Sequence, residues 1–288
     1  MTLLSNPSET RTKTPTIWAN GQLFADASEA TVSVRDHGLV VGDGVFEALK
    51  VTSAGPFAVQ RHLNRMNRSA AAMGLPAPDH RLIREGIAAV LAVENLTLGK
   101  IRITYTGGLG PFGSGAAYGP TTLVVAAEAT APQPVLSTIV TAPWARNEHG
   151  ALTGVKSTSY AENVLGLAYA TERGGSEAIF LNTAGQVCEG TGSNIFCVFG
   201  TEVVTPPLPS SGALAGVTRE LLLEWADVVE RDLTPAEAMS ADEVFLTSSV
   251  RDVQGITQWD DTTFPPARPV TERLAGVFAE RSGADLDP

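Results

Sequence analysis

The sequence contains few residues that bind metals or form cross-links. Its 288 residues include only two cysteines and four histidines: Cys188, Cys197, His37, His62, His80 and His149. The two thiols form no CxxC pair and are too few for a disulfide framework, and the histidines show no HExxH spacing. The sequence therefore favours neither a zinc site nor a disulfide scaffold, and we expect no bound metal.

Long hydrophobic runs and net positive charge are also missing. No segment approaches the ~18 consecutive apolar residues of a membrane span, and the N-terminal residues MTLLSNPSETRTKTP lack the apolar centre of a signal peptide. The formal net charge is −11 at pH 7, which repels phosphate backbones and anionic lipid. We therefore expect no nucleic-acid or membrane partner and a cytoplasmic location, with residues 1–14 as a mobile tail.

The residues that are abundant are those of a globular protein. Hydrophobic residues make up 43% of the chain and charged residues 18%, as in ordinary folded domains. Helical and strand-like patterns follow one another without strict alternation, which predicts a mixed α/β (α+β) fold. The predicted parts are an N-terminal α/β domain (15–128), a linker (129–135) and a C-terminal domain (136–288).

Turn residues, cap residues and hydrophobic periodicity predict the individual elements. In TIWANGQLF, Asn20-Gly21 predicts a tight hairpin turn, and Asp79 is a candidate helix N-cap. The predicted strands are 45–51, 56–60, 100–106, 121–129, 177–182, 193–199, 202–205 and the end of 241–249. The predicted helices cover about 61–74, 79–95, 159–173, 217–230 and 270–281.

Lysine is scarce, and one of the four lysines stands in an unusual place. Lys156 lies in GVKSTSYAENVL (154–165), just before an apolar stretch with helical spacing. An unprotonated lysine amine is a nucleophile that forms Schiff bases with carbonyl groups, and desolvation lowers its pKa. The alternative is a lysine whose stem packs on the domain while its charged head reaches water.

A second segment, GQVCEGTGSNIF (185–196), places Glu189 in a turn between two predicted strands. Glutamate is not a preferred turn residue. A carboxylate at this point is suited to keeping a pyridinium nitrogen protonated, which makes pyridoxal phosphate an electron sink. The alternative is an exposed loop acid.

Three further segments are suited to binding a phosphate group. LAGVTRE (214–220) puts small residues and backbone amides at a helix start, and TSS (247–249) follows a strand with three hydroxyl groups. Arg61, Arg65 and Arg68 lie on one face of a predicted helix, and arginine binds phosphate through paired hydrogen bonds. Ordinary helix caps and a solvated arginine face are the alternatives.

Taken together, these segments resemble the class IV, fold-type IV pyridoxal-phosphate enzymes. This family includes branched-chain aminotransferases, D-amino-acid aminotransferases, (R)-selective amine transaminases and aminodeoxychorismate lyases. The resemblance runs from about residue 17 to 280. It includes RDHGLVVGDGVFEALKV (35–51), RHLNRM (61–66), GVKSTSYAENVL (154–165), EAIFLNTAGQVCEGTGSNIF (177–196), LAGVTRE and VFLTSS.

The resemblance implies pyridoxal 5′-phosphate as cofactor. The corresponding residues here are Lys156 for the Schiff base, Arg65 for the phosphate, Glu189 for the ring nitrogen, and Val217, Thr218, Ser248 and Ser249 for the phosphate-binding turns. Tyr160 is offset by one position from the tyrosine that bonds the cofactor ring in branched-chain members.

The resemblance also implies an architecture and a reaction. A smaller N-terminal domain and a larger C-terminal domain enclose the cofactor at their interface, and a homodimer closes each site with loops of the partner. The expected reaction moves an amino group from an amino acid or (R)-amine to a keto acid. Lysis of aminodeoxychorismate to p-aminobenzoate and pyruvate is an alternative, and a non-catalytic binding protein on the same fold is a third.

The substrate side departs from the relatives. Branched-chain enzymes carry a Tyr-x-Arg strand where this chain reads Lys100-Ile101-Arg102. Strand alternation puts Lys100 and Arg102 on one face and Tyr105 on the other. If the first face lines the pocket, Arg102 is the candidate for binding a substrate carboxylate. If the second does, an apolar pocket with Tyr105 would suit amines without a carboxylate.

Three other positions are candidates for substrate binding. Phe46 stands where D-amino-acid enzymes often carry a tyrosine, and Arg35 and His37 lie on a loop that approaches the partner's site in the relatives. None of these residues fixes the amino donor, so branched-chain L-amino acids, D-amino acids and (R)-amines all stay open.

Overall fold

The computed structural model describes residues 15–288, so the tail predicted over residues 1–14 lies outside the described residues. The first part of the described chain forms β1 (Thr16–Ala19), β2 (Gln22–Phe24), a 3₁₀ turn (Ala27–Glu29), α1 (His37–Val40), β3 (Gly44–Thr52), β4 (Gly55–Pro56), α2 (Val59–Ala72), α3 (His80–Val93), β5 (Leu98–Thr106) and β6 (Thr122–Ala129).

The second part begins with a long strand and carries most of the short elements. It forms β7 (Leu136–Arg146), α4 (Ala161–Glu172), β8 (Glu177–Asn182), β9 (Val187–Gly190), β10 (Asn194–Phe199), β11 (Glu202–Thr205), α5 (Leu208–Ser211), α6 (Val217–Trp225), β12 (Val228–Glu230), α7 (Pro235–Met239), β13 (Glu243–Ser248), β14 (Asp252–Trp259), β15 (Thr262–Thr263) and α8 (Pro269–Ala284).

These strands build two sheets, one from each part of the chain. The N-terminal sheet has the order β2-β1-β6-β5-β3-β4, and all its pairs are antiparallel. The C-terminal sheet has the order β12-β11-β10-β13-β14-β7-β8-β9, with β15 beside β14. It mixes antiparallel pairs with parallel ones, such as β7 with β8, because α4 crosses between those two strands.

The N-terminal sheet turns one face toward α2 and α3. Ile101, Ile103 and Tyr105 of β5 are buried in the core on that side. Lys100 and Arg102 therefore project from the opposite face, as the alternation requires. The alternative pocket lined by Tyr105 is wrong, because the two helices cover that face of the sheet.

Strong local signals predict their elements correctly. Asn20 and Gly21 both have positive φ, at 48° and 94°, and join β1 to β2 in a two-residue turn. Asp79 caps α3, since its side chain accepts hydrogen bonds from the amides of Arg81 and Leu82.

Two predicted elements are wrong. Only the beginning of 56–60 is a strand, because Ala58 adopts a left-handed conformation (φ 54°) and α2 begins at Val59. The predicted helix 217–230 ends at Trp225, because Ala226 is extended and Val228–Glu230 pairs with β11.

The C-terminal sheet is covered on both faces. Phe196, Phe245 and Phe278 belong to a core cluster that packs α6 and α8 onto the sheet. A second cluster includes Ile179 and Trp259, and both cysteines are buried free thiols. Among the described residues, no helix is long and apolar enough to cross a bilayer, and no three His, Cys, Asp or Glu side chains are grouped to hold a metal ion.

Candidate active site

A cleft that is open to solvent lies where the two sheets meet. All the residues predicted to bind the cofactor line it: Arg65, Lys156, Tyr160, Glu189, Val217, Thr218, Ser248 and Ser249. They come from α2, the segment before α4, β9, the start of α6 and the end of β13. The structure thus brings together residues that lie in separate sequence motifs.

The backbone around Lys156 is held by the N-terminal half of the chain. The Lys156 carbonyl accepts a hydrogen bond from the Phe46 amide at 3.0 Å, and the Lys156 amide donates to Ser69 Oγ at 3.2 Å. Val45 of β3 and Ser157 form an isolated β-bridge. These contacts fix the lysine at the boundary of the two halves, with its side chain in the cleft.

The amine of Lys156 lies beside two aromatic rings. Its Nζ atom is 4.5 Å from the ring centre of Phe46 and 5.4 Å from that of Tyr160. Burial of the amine, and then the positive charge of Arg65, lowers the pKa of Lys156 from 10.5 to about 8. The amine is therefore available in its unprotonated, nucleophilic form at mildly alkaline pH.

Glu189 is a buried carboxylate on β9, not an exposed loop acid. It accepts a hydrogen bond from the Leu214 amide at 2.9 Å and forms an ion pair with Arg146, whose Nη1 is 2.9 Å from Oε1. Burial raises the pKa of Glu189, while the charge of Arg146 and the Leu214 amide act against that rise. Arg146 therefore favours the ionised form of this carboxylate.

The polar end of the cleft is built by the start of α6. This helix begins at Val217. The amides of its first turn have no intrahelical acceptor, as in any α-helix, and Gly216 before it provides no side-chain cap for them. A Cβ atom at position 216 would lie 2.0 Å from Asn194 Oδ1, which explains the glycine. Such a helix start is suited to an anion.

Arg65 is buried next to this helix start and is held by Glu47. Its Nε and Nη2 atoms lie 2.8 and 2.6 Å from the two carboxylate oxygens, and its Nη1 donates to the Ala215 carbonyl at 2.9 Å. Burial alone would raise the pKa of Glu47, but the charge and hydrogen bonds of Arg65, aided by His62, hold it at about 2. Glu47 is thus an anion that fixes the guanidinium in place.

Three residues of this site were missed by the sequence reasoning: Glu47, His62 and Arg146. Two signals could have found the first two, namely a carboxylate inside the apolar strand VFEALKV and a histidine one helical turn before Arg65. Arg146 lies 43 residues before Glu189 and has no comparable local signal.

Arg102 and Phe46 lie together on the second face of the N-terminal sheet. The Arg102 guanidinium is 3.9 Å from the ring centre of Phe46, which meets the Tyr160 ring edge-on at 5.1 Å. Arg102 donates to Thr104 Oγ1 at 3.2 Å, and it forms no salt bridge with a carboxylate of residues 15–288. Lys100, in contrast, is paired with Glu128 at 2.8 Å.

Arg35 and His37 do not line the cleft of their own chain. Arg35 donates to the Gly110 carbonyl at 3.2 Å, and His37 Nε2 lies 3.1 Å from the Pro111 carbonyl oxygen. Both residues therefore hold the glycine-rich loop 107–120.

Comparisons with known proteins find aminotransferases that are similar to this chain over most of its length. The chain is 31% identical over 284 residues to a branched-chain-amino-acid aminotransferase of Pseudomonas aeruginosa, covering 91% of each chain. It is 27% identical to a D-alanine aminotransferase of Bacillus licheniformis, covering 87% of this chain and 90% of the relative. The T.th. branched-chain amino acid aminotransferase, solved with pyridoxamine 5′-phosphate, matches with a TM-score of 0.86, 27% identity and 94% coverage of both chains.

The family model for amino-transferase class IV matches residues 44–259, which is most of the chain. The predicted fold-type IV architecture and the predicted cofactor class are thereby confirmed. This chain belongs to the class IV aminotransferases, enzymes that use pyridoxal 5′-phosphate to transfer an amino group.

Proposed function

We propose that this enzyme transfers the amino group of a carboxylate-bearing amino acid to a keto acid, with Lys156 as the catalytic residue and Arg102 as the carboxylate anchor. The observation that carries the proposal is the Lys156 amine, with a pKa of about 8, in the same cleft as Glu189 and a helix start suited to phosphate.

The residues of the cleft fit pyridoxal phosphate at each of its functional groups. Lys156 would hold the aldehyde, Glu189 the ring nitrogen, and Arg65, Ser248, Ser249 and the amides of Val217 and Thr218 the phosphate; all of these residues line the cleft. Tyr160, beside the lysine, is suited to the ring hydroxyl. When bound, the cofactor supplies an aldehyde that takes up the amino group and a ring that accepts electrons from the substrate Cα.

Lys156 moves the proton in this proposal. Its amine takes the proton from the substrate Cα and later returns a proton to the carbon of the acceptor keto acid. A group with a pKa near the working pH is effective in both directions. The backbone contacts to Phe46 and Ser69 keep the amine in position while it acts.

Arg102 gives the site its preference for carboxylates. An arginine with no carboxylate partner among the described residues, next to Phe46 and Tyr160, is ready to form a paired hydrogen bond with a substrate carboxylate. The relatives act on different amino acids, so the side chain and handedness of the donor are left to experiment.

The central experiment follows the visible absorption of bound pyridoxal phosphate. Lys156→Ala should abolish the lysine-dependent band, whereas Lys100→Ala, which removes an exposed lysine paired with Glu128, should keep it. L-leucine, D-alanine and (R)-1-phenylethylamine are then mixed separately with the holoenzyme. The donor that bleaches the band, with amino transfer to a keto acid, identifies the substrate class, and survival of the band in Lys156→Ala would contradict the proposal.

The anchor has its own test. Arg102→Ala should lower kcat/KM for the amino-acid donor roughly 10- to 100-fold, because a charged hydrogen bond contributes about 1.5–3 kcal/mol, and should spare a simple amine. Equal losses for both donor classes would refute the assignment.

The lyase alternative is tested in the same preparation. Aminodeoxychorismate is supplied without any keto acid, and pyruvate is measured. Release over many turnovers would favour the lyase reaction, whereas at most one turnover supports transamination.

We also propose that the chain is divided into domains 15–128 and 136–288, a division that the two sheets support, and that the enzyme works in the cytoplasm.

We further propose a homodimer. Helix α4 leaves Val164, Leu165 and Leu167 exposed at 64%, 58% and 45%, an apolar surface beside the cleft that a second copy would cover. Light scattering of the purified chain should give twice the monomer mass, and Leu165→Glu should lower it. Cell fractionation tests the location.

A further inference from the structure

His62 connects two parts of the cleft. It lies on α2 one turn before Arg65 and is almost fully buried. Its Nδ1 atom is 2.7 Å from Glu47 Oε2, and its Nε2 atom is 3.3 Å from Ser249 Oγ. The imidazole therefore bridges the carboxylate that holds Arg65 and a hydroxyl on the wall of the cleft.

One of the two ring nitrogens has a fixed state. The pKa of Glu47 is about 2, so this carboxylate is ionised at neutral pH and only accepts hydrogen bonds. The Nδ1 atom of His62 must therefore carry a proton and donate it to Glu47. Only Nε2 can change between acceptor and donor.

The state of Nε2 decides what Ser249 can do. In the neutral ring Nε2 has a lone pair and accepts the single hydroxyl proton of Ser249. A phosphate dianion offers only acceptors, so it would compete with His62 for that same proton. If Nε2 is protonated, it donates to the Ser249 oxygen, and the hydroxyl proton is free for the phosphate.

The charges around the ring also favour a change on phosphate binding. Glu47 on β3, Arg65 on α2 and Lys156 before α4 are the charged groups that face it. Burial, then Arg65 and Lys156, lower the pKa of His62 against the opposing effect of Glu47. Because Glu47 already balances the charge of Arg65, a protonated His62 supplies the remaining positive charge for a dianion.

We propose that binding of the cofactor's phosphate is coupled to protonation of His62, which then orients the Ser249 hydroxyl toward the phosphate. His62 is a positioning residue in this scheme, acting through Ser249. The inference rests on the proposed function, because it takes this end of the cleft as the phosphate site.

The direct test is nitrogen-15 NMR of the histidine rings in the full chain at pH 7.5. Without cofactor, His62 should show the neutral ring with hydrogen on Nδ1, and with pyridoxal phosphate both nitrogens should be protonated. Pyridoxal, which lacks the phosphate, should leave the ring neutral. His62→Gln assigns the signals, and His149→Gln, at an exposed histidine that does not line the cleft, is the matched control.

Binding measurements give a second readout. The ratio of the affinities for pyridoxal phosphate and pyridoxal should rise by up to about tenfold per pH unit as the pH falls from 8.5 to 7, since binding takes up a proton. This range stays above the phosphate pKa of about 6. In His62→Gln, whose amide still donates to Ser249, the ratio should be independent of pH, whereas His62→Leu should bind weakly.

The outcomes separate the inference from the proposed function. A neutral His62 in the holoenzyme, or a ring that pyridoxal also protonates, would overturn the coupling while the lysine-dependent band leaves the transaminase proposal intact. If the wild-type chain with pyridoxal phosphate shows no lysine-dependent band, both the coupling and the transaminase proposal would be refuted.

Discussion

Arg146 determines how the buried carboxylate of Glu189 behaves. Its guanidinium pairs with Glu189, donates to Asn163 Oδ1 at 3.2 Å and stacks 4.3 Å from the ring centre of Phe180. These contacts hold the planar group in one orientation. Without them the carboxylate would face a dry interior with only weaker donors.

Replacing Arg146 should therefore affect stability and cofactor binding together. In Arg146→Leu we expect the free energy of unfolding to fall by about 3 kcal/mol, because a buried charge loses its partner. The pKa of Glu189 should rise further, so pyridoxal phosphate affinity should fall most at low pH. Urea denaturation and cofactor titration from pH 6 to 9 measure both effects. Arg146→Lys should be intermediate, and wild-type behaviour of the leucine variant would contradict this role.

The lowered pKa of Lys156 predicts a pH profile for its reactivity. The rate at which the apoenzyme takes up pyridoxal should rise with pH, with a midpoint near 8, since only the unprotonated amine reacts. Arg65→Gln should move that midpoint upward, because it removes a positive charge that disfavours the protonated amine. A stopped-flow series checks this, and a wild-type midpoint near the ordinary lysine value of 10.5 would refute it.

At this scale the sequence is informative where a site residue belongs to a contiguous motif. Lys156 and Glu189 stand in segments whose neighbouring residues predict their surroundings, and both line the cleft. Glu47 and Arg146 act through partners far away in the chain. Their burial becomes visible only once the neighbours of β3 and β7 are known.

Helix α2 carries both His62 and Arg65, yet it has no cap of its own. Ala58 precedes it with positive φ and no side-chain hydrogen bond. The end of the chain takes over this function. Asp287 Oδ1 accepts from the Gln60 amide at 2.7 Å, and the Leu286 carbonyl accepts from the Ala58 amide at 2.6 Å.

Removing this remote cap should loosen the helix. Asp287→Ala should lower the free energy of unfolding by about 1 kcal/mol, the usual cost of losing an N-cap acceptor. Cofactor affinity should fall slightly, because the helix positions Arg65. Asp287→Asn keeps the acceptor and should lose less. Urea denaturation of the three proteins decides the matter, and identical stabilities for all would show that the contact does not act as a cap.

Two features of the strands could not be predicted from sequence patterns, and each has a physical reason. No element was predicted over β7, whose alternation is broken by Pro143 and by a register shift between Thr141 and Ala145. For β5 the alternation is correct but symmetric. Which of its two faces is covered depends on α2 and α3, which pack on the side that carries Tyr105 and leave the side of Arg102 uncovered by them.

For the whole molecule, the ion pairs around Glu47 predict an acid limit to stability. The pKa of Glu47 is about 2 in the fold and about 4.5 when exposed, so the ionised group stabilises the fold above pH 4.5. That contribution, of order 3 kcal/mol, should be lost as the pH falls from 4.5 to 2. Urea midpoints measured across this range should decline, and the decline should be shallower in Glu47→Gln. Equal slopes would contradict the assignment.

The segment that carries Lys156 belongs in sequence to the C-terminal half. Its backbone is nevertheless bound to β3 of the N-terminal half by the hydrogen bond from the Phe46 amide and by the Val45–Ser157 bridge. A movement of one half relative to the other would therefore displace the amine of Lys156. The yellow colour of a sample loaded with cofactor should therefore report on the contact between the two halves and should fade when that contact is lost. Inspecting the colour of colonies can then identify the variants that keep this contact.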